Sequence, residues 1–289
     1  MRILSILILS FIVLLTKCKG EINTDIHDKM EGQSVKVMTY NIRLDTESDG
    51  ENAWPYRKDF LSSQVLFYGP DVLGVQEALP NQMLDLKNAF KNYNAIGIGR
   101  NGENNGEYSA IFYNAQKLKV ENENTFWLSE NPNVISKGWD AAYPRICTYG
   151  LFTAIKSNQK FWVFNTHLDH VGAQAQTQGI QLILKRIETL NPENFPVVLM
   201  GDFNVEPNSE LIANLNQKMN DSKSIAKINF GSNGTFNGFN VSQPVTRRID
   251  YIMVSKSNIE VEKYGVLSSM VDLKYPSDHF PVITELILK

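Results

Sequence analysis

Six short polar segments stand at the ends of apolar runs in this sequence: Tyr40-Asn41, Gln76-Glu77, Thr166-His167-Leu168-Asp169-His170, Gly201-Asp202-Phe203-Asn204, Arg248-Ile249-Asp250 and Ser277-Asp278-His279. Carboxylates, amides and imidazoles are the groups that bind hard cations, orient water and move protons near neutral pH. Glu77, Asp202, Asn204, Asn41 and Asp278 supply hard oxygen ligands or their neighbours, with no thiol cluster or closely spaced histidines beside them. That chemistry favours Mg²⁺, with Mn²⁺ as the alternative, over zinc. Mg²⁺ keeps waters and completes its shell with phosphate oxygens, so a phosphoester is the substrate class this set suits.

A cation polarises a phosphate but leaves the attacking water to be deprotonated by something else. His279 is the candidate base, expected to titrate near neutrality, and Asp250 would fix its tautomer and stabilise the imidazolium. His167 and Asn204 could donate hydrogen bonds to charge building on the phosphoryl oxygens. Arg145 could clamp a non-bridging oxygen through its planar fork of donors. His170, three residues beyond His167, either faces the site or caps the start of a helix. Trp54, Arg57, Trp139 and Phe236 stand near expected sheet ends, where lid packing is their more frequent use than substrate contact.

Elements of regular structure must bring these residues together. Asn41, Glu77, His167 and Asp202 follow runs that read as buried strands at 35–40, 72–76, 161–166 and 197–201. Asp250 and His279 instead precede such runs, at 251–254 and 280–288. Where two strands run antiparallel, the exit of one and the start of the other share an edge, so all six segments can reach one end of the sheets. The opening pattern is βαβα, with helices expected over 56–68 and 80–90. Shorter runs at 93–98, 109–113, 146–155 and 161–166 read as an antiparallel meander, and a helix is expected over 173–190 with Ile180, Ile183, Leu184, Ile187 and Leu190 on one stripe. Buried strands need cover on both faces, which leads to an α/β (α+β) fold: a four-layered αββα sandwich of two mixed β-sheets flanked by helices.

Domain organisation follows from composition. Residues 1–17 carry Arg2 ahead of an apolar stretch over 3–15 and read as an export signal, too short for a comfortable membrane span. Cys18 falls where a lipoprotein's acylated cysteine would sit, although Lys17 replaces the usual small residue before it. Membrane association would come only through that lipid. Residues 18–33 read as a flexible tether, and 34–289 as a single domain. The protein is thus expected to be exported, whether periplasmic, secreted or lipid-anchored, and monomeric with no protein partner. With two cysteines in 289 residues a disulfide framework is excluded, and Cys147 reads as a core thiol. A formal net charge of -3 gives no sign of a generally basic surface, and Lys185-Arg186 and Arg247-Arg248 are isolated pairs rather than a stripe. Long DNA is therefore less favoured than a small-molecule or lipid-headgroup phosphoester.

Taken in order, the six segments resemble the endonuclease/exonuclease/phosphatase superfamily, and the resemblance spans about residues 35–288. It implies Mg²⁺-dependent hydrolysis of a phosphodiester or phosphomonoester by activated water on a two-sheet sandwich. Carried over by motif, Glu77 is the principal metal ligand, assisted by Asn41 and Asp278. Asp202 and Asn204 orient water and phosphate, His279 with Asp250 forms the base pair, and His167 lies against the phosphate. Arg145 matches no motif. The stretch 126–145 is similar to an exported bacterial branch of the superfamily. Fold does not choose among its activities, so a nuclease acting on DNA or RNA and a lipid-headgroup phosphodiesterase of sphingomyelinase type remain alternatives. A non-catalytic phosphate-ligand binding protein is the alternative from another class.

Overall fold

Along each strand successive side chains point to opposite faces, and here that alternation sorts the chain into layers. The computed structural model describes residues 32–289. In chain order its elements are β1 (Gln33–Asn41), α1 (Trp54–Tyr68), β2 (Val72–Ala78), α2 (Pro80–Ala89), β3 (Tyr93–Ile96), β4 (Tyr108–Asn114), β5 (Leu118–Trp127), β6 (Ile146–Ala154), β7 (Lys160–His167) and α3 (Ala173–Leu190). There follow β8 (Val197–Asp202), α4 (Glu210–Lys218), β9 (Met219–Asp221), α5 (Ser222–Ile225), β10 (Ile228–Gly231), β11 (Asp250–Ser255), β12 (Ile259–Val266) and β13 (Val282–Leu288). Among the described residues one sheet runs β10-β12-β13-β1-β2-β4-β3 and the other β5-β6-β7-β8-β11-β9. Both are mixed: β1 with β2 and β7 with β8 are parallel, while β13 and β11 run antiparallel to β1 and β8.

Three apolar layers account for the stack. Val35, Val37, Val72, Phe161, Val163, Val198, Met200 and Ile252 meet between the sheets. Met38, Tyr40, Leu73 and Phe112 pack outward against Trp54, Leu61, Met83 and Leu86 of α1 and α2. Trp162, Phe164, Leu199 and Met253 pack outward against Ile180, Ile183, Leu211 and Ile212 of α3 and α4. The expected αββα sandwich is therefore present. One expectation is corrected: the meander is divided, with β3 and β4 in the first sheet and β6 and β7 in the second, next to β5. No strand was read at β5 because its middle, Glu121-Asn122-Glu123-Asn124, is exposed edge with no apolar alternation. The readings on residues 1–17, on Cys18 and on most of the tether lie outside the described residues. Gln33, assigned there to the tether, pairs with Leu288 as the first residue of β1.

The same alternation positions the polar residues. On the inter-sheet face β1 reads Val35, Val37, Thr39, Asn41, and β7 reads Phe161, Val163, Asn165, His167, so each strand passes from apolar to polar toward one end. Register makes those ends coincide: Asn41 stands beside Gln76, and Asp202 stands between His167 and Asp250. Beneath this end a buried amide joins the sheets, with Asn165 Nδ2 donating to Val75 O at 3.0 Å and Ala110 O at 2.8 Å while Gln76 Nε2 donates to Asn165 Oδ1 at 2.6 Å. Gly201 allows β7 and β8 to close. Its φ is 146°, and a Cβ there would lie 1.9 Å from Thr166 O.

Candidate active site

Strand ends and the loops just beyond them assemble one polar cluster from both sheets. At the end of β2 the ladder shifts between Gln76 and Ala78, and Glu77 sits in that irregularity with φ 65°, a left-handed backbone that costs a non-glycine residue about 1 kcal/mol. Its Oε1 accepts from Asn41 Nδ2 at 3.0 Å and its Oε2 from Leu44 N–H at 3.0 Å. Asn41 Nδ2 also donates to Asp202 Oδ2 at 3.0 Å, so one amide links carboxylates from the two sheets, while Asn41 Oδ1 accepts from Arg43 N–H. Ser277 Oγ donates to Asn41 O at 2.7 Å, tying the Asp278-His279 turn to β1.

His279 Nδ1 and Asp250 Oδ2 are 2.9 Å apart, and His279 Nε2 lies 3.8 Å from Asp202 Oδ2. Burial by itself would keep the imidazole neutral, but the charges of Asp250 and Asp202 outweigh it and raise His279 well above its ordinary value. Burial, reinforced by Asp250, pushes the Asp202 carboxyl up to about 7, against the pull of His279 and the bond from Asn41. The sequence reading gives near-neutral titration to His279; in the structure it falls on Asp202, whose Oδ2 lies 3.8 Å from His279 Nε2. His167 behaves oppositely. Burial, with Arg145 and His279 nearby, holds it well below its ordinary value, so it is a neutral imidazole, with Nε2 3.0 Å from Asn204 Nδ2 and 3.4 Å from Asp202 Oδ2. Asn204, itself at φ 54°, donates its N–H to Asp202 Oδ1 at 2.9 Å and its side-chain amide to Leu168 O at 3.0 Å.

These groups open on a cavity of about 480 Å³ bordered by Glu77, Asp202, Asn204, His167, His279 and Asp278. Arg145 and His170 border it too, joined Nη2 to Nδ1 at 3.1 Å. Asp169 anchors that side. Its Oδ1 accepts from Val171 and Gly172 N–H at 3.0 and 2.8 Å, and its Oδ2 from Ala142 N–H and Arg145 Nε at 3.1 and 3.3 Å. Burial opposes ionisation of Asp169, yet the bonds from Gly172, Ala142 and Val171 and the charge of Arg145 hold its carboxyl at about 2.

Because the folded value lies below the unfolded one, Asp169 stabilises the fold at pH values above the unfolded pKa and loses that contribution as pH falls through the folded pKa. In urea titrations Asp169→Asn should lose about 2 kcal/mol at pH 6, and the gap to the unsubstituted protein should shrink to roughly half by pH 3. A gap of equal size at both pH values would refute this account of Asp169.

Arg57 and Trp54 do not reach the cavity. Arg57 is buried with its guanidinium donating to Ile42 O, Arg43 O and Pro276 O, and Trp54 Nε1 donates to Asp85 across the helices. Trp139 is not among the cavity residues, whereas Phe236 is. Arg248, from a motif segment, holds buried Asp221 instead. Sequence reasoning did not single out Arg43, Arg100 or Glu107, which also border the cavity, as does Tyr143 of the 126–145 stretch. Arg100 and Glu107 flank the glycine- and asparagine-rich turn over 102–106, and two opposite charges around such a turn are the available signal.

The donor set fits a divalent cation. Glu77, Asp202 and Asp278 face one cavity together; the nearest cationic nitrogen to Asp278 is Arg43 Nε at 4.0 Å, and burial pushes Asp278 upward as expected for under-compensated negative charge. Asp202, Asp250 and His279 also place three ligand-type atoms within 4.8 Å of one another. There, however, Asp250 Oδ2 and His279 Nδ1 satisfy each other, so that trio reads as proton-transfer machinery and the Glu77–Asp278 side as the cation side.

A sandwich whose shared edge joins carboxylates, a carboxylate-held imidazole and arginines is the architecture of a phosphoester hydrolase. The sequence matches the Endonuclease/Exonuclease/phosphatase family over residues 38–279, and the chain belongs to that family, whose members are hydrolases acting on phosphoester bonds. It is similar to the mannosyl-6-phosphatase of Bacteroides thetaiotaomicron at 36% identity and TM-score 0.84, covering 88% of this chain and 100% of that one. Similarity to an endonuclease/exonuclease/phosphatase from Bacteroides vulgatus is 35% identity with TM-score 0.85, over 89% of this chain and 100% of that one. The human Nocturnin catalytic domain shares the fold at 19% identity and TM-score 0.69, over 89% of this chain and 94% of that one.

Proposed function

We propose that the protein is an exported, Mg²⁺-dependent phosphoesterase that hydrolyses phosphomonoesters of small alcohols. The observation that carries this reading is the cavity itself: about 480 Å³ of concave space with His279 and Asp202 on its border, Asp250 buried behind His279, and Arg43, Arg100, Arg145 and Arg247 around it. A pocket of that size suits a small ligand, whereas a polynucleotide calls for an open, basic groove. Similarity to a mannosyl-6-phosphatase supports the same choice. Export rests on the character of residues 1–17.

Glu77 and Asp278, with Asn41 beside them, would hold Mg²⁺ or Mn²⁺, which when bound neutralises phosphoryl charge. Arg145 receives the phosphoryl oxygens on one side, its guanidinium oriented by Asp169 and His170. Asn204, its amide nitrogen between Leu168 O and His167 Nε2, holds neutral His167 on the cavity border beside Asp202, where both would lie against the bound phosphoryl group. The attacking water gives its proton to the Asp202–His279 pair, with Asp250 stabilising the charged imidazole.

The reading is tested with a nitrophenyl monoester and diester, hexose phosphates, sphingomyelin, RNA and supercoiled DNA, each with and without Mg²⁺. Monoesters should be turned over, only with the cation, while supercoiled DNA stays intact. Silence across the whole panel would favour the phosphate-binding alternative, and faster cutting of DNA than of monoesters would favour the nuclease.

A further inference from the structure

Beyond the phosphate lies the alcohol to be released, and the structure offers one pair of groups to recognise it. Arg100 Nη2 and Glu107 Oε1 are 2.7 Å apart on the border of the same cavity, with side chains 15% and 14% exposed. Their loop is pre-set: Gly99 N–H bonds to Glu103 O, Arg100 N–H to Glu107 O at 2.9 Å, and Trp127 Nε1 donates to Arg100 O at 2.8 Å. Contacts continue from this pair to the phosphate side, since the Arg100 guanidinium lies 4.9 Å from the Tyr143 ring, Tyr143 stacks on His170 at 6.0 Å, and His170 meets Arg145.

Charge decides what such a pair can bind. A carboxylate in a phosphate pocket is repelled by phosphoryl oxygens, so Glu107 requires a hydrogen-bond donor from the rest of the substrate. A quaternary ammonium has no hydrogen to donate, and the cation-binding face of Tyr143 already carries Arg100. A hydroxyl donates and accepts at once. Two neighbouring hydroxyls complement a carboxylate and a guanidinium held side by side, each giving its hydrogen to Glu107 or taking one from Arg100.

We propose that Arg100 and Glu107 form the specificity-determining subsite that reads adjacent hydroxyls on the departing alcohol, which makes the substrate class the phosphate monoesters of polyhydroxylated rings. The inference rests on the phosphomonoesterase reading and narrows it.

Purified full chain with Mg²⁺ is assayed on a hexose 6-phosphate, on cyclohexylmethyl phosphate, which keeps the ring but lacks hydroxyls, and on choline phosphate. The protein should prefer the hexose ester by about 100-fold in kcat/KM, because the bare ring displaces water from the buried ion pair without replacing its hydrogen bonds. Glu107→Gln should reduce that preference at least tenfold, mainly through KM for the hexose ester. Arg100→Lys, which keeps the charge and loses the planar fork, should move it the same way and serves as the second variant if Glu107→Gln folds poorly. A preference unchanged in both variants, or choline phosphate as the best substrate, overturns the assignment. Absence of turnover on all three esters by the unsubstituted protein instead overturns the phosphomonoesterase reading, and the two failures differ in whether wild-type rates are measurable.

Discussion

His279→Ala should lower kcat by about a thousandfold or more while changing KM less than about threefold, because general-base assistance contributes about 10²–10⁴ and the imidazole also disperses charge during attack. Asp202→Asn should lose nearly as much, since burial and the charge of Asp250 bring that carboxyl to about 7 and place a second proton acceptor 3.8 Å from His279 Nε2 on the cavity border. Groups that work as a unit give non-additive losses, so the double variant should be about as slow as the worse single one. Steady-state kinetics on a nitrophenyl monoester, with thermal melting to verify folding, measures all three. Multiplicative losses would show that the two side chains act independently and would remove the pair from the mechanism.

Chelation is the second large effect. EDTA should abolish turnover, and added Mg²⁺ or Mn²⁺ should restore it, because Glu77, Asp202 and Asp278 face one cavity with Arg43 no nearer than 4.0 Å to Asp278. Glu77→Gln keeps the shape and removes the charge, and should raise the Mg²⁺ concentration needed for half-maximal rate by about 100-fold. Relief of the Glu77–Asp278 repulsion could make that variant more heat-stable in the absence of the cation, so a loss of activity with an unchanged or raised Tm separates a ligand role from a folding role. Full activity after exhaustive chelation would end the metal reading.

How much of this was legible in the sequence follows from range. Strand periodicity and the residue type at each strand end are local properties, and so the sequence by itself gathers Asn41, Glu77, His167, Asp202, Asp250 and His279 onto one edge. The antiparallel pairings that the argument required, β11 on β8 and β13 on β1, are present. Sheet membership is not local. Nothing in Tyr93–Ile96 or Tyr108–Asn114 says that they join β2 rather than β6, and the exposed middle of β5 has no periodicity to read. Loop residues were the other loss: Arg100 and Glu107 sit around a turn with no motif, while Arg57 has charge suited to phosphate but satisfies backbone carbonyls beneath the loop. Asp169 lies within one of the six polar segments, yet its anchoring of Ala142 and Arg145 depends on a fold contact across more than twenty residues.

The catalytic apparatus is split down the middle, with Asn41 and Glu77 carried by one sheet and His167, Asp202 and Asp250 by the other. What keeps the halves in step is the Asn165 amide reaching across to Val75 and Ala110, out of any substrate's sight. Slippage of one layer past the other by even an ångström would misalign acid, base and cation side together. Enzyme rate in this architecture is therefore a gauge of how firmly two slabs are bolted, and damage at the bolt would be recorded as lost chemistry.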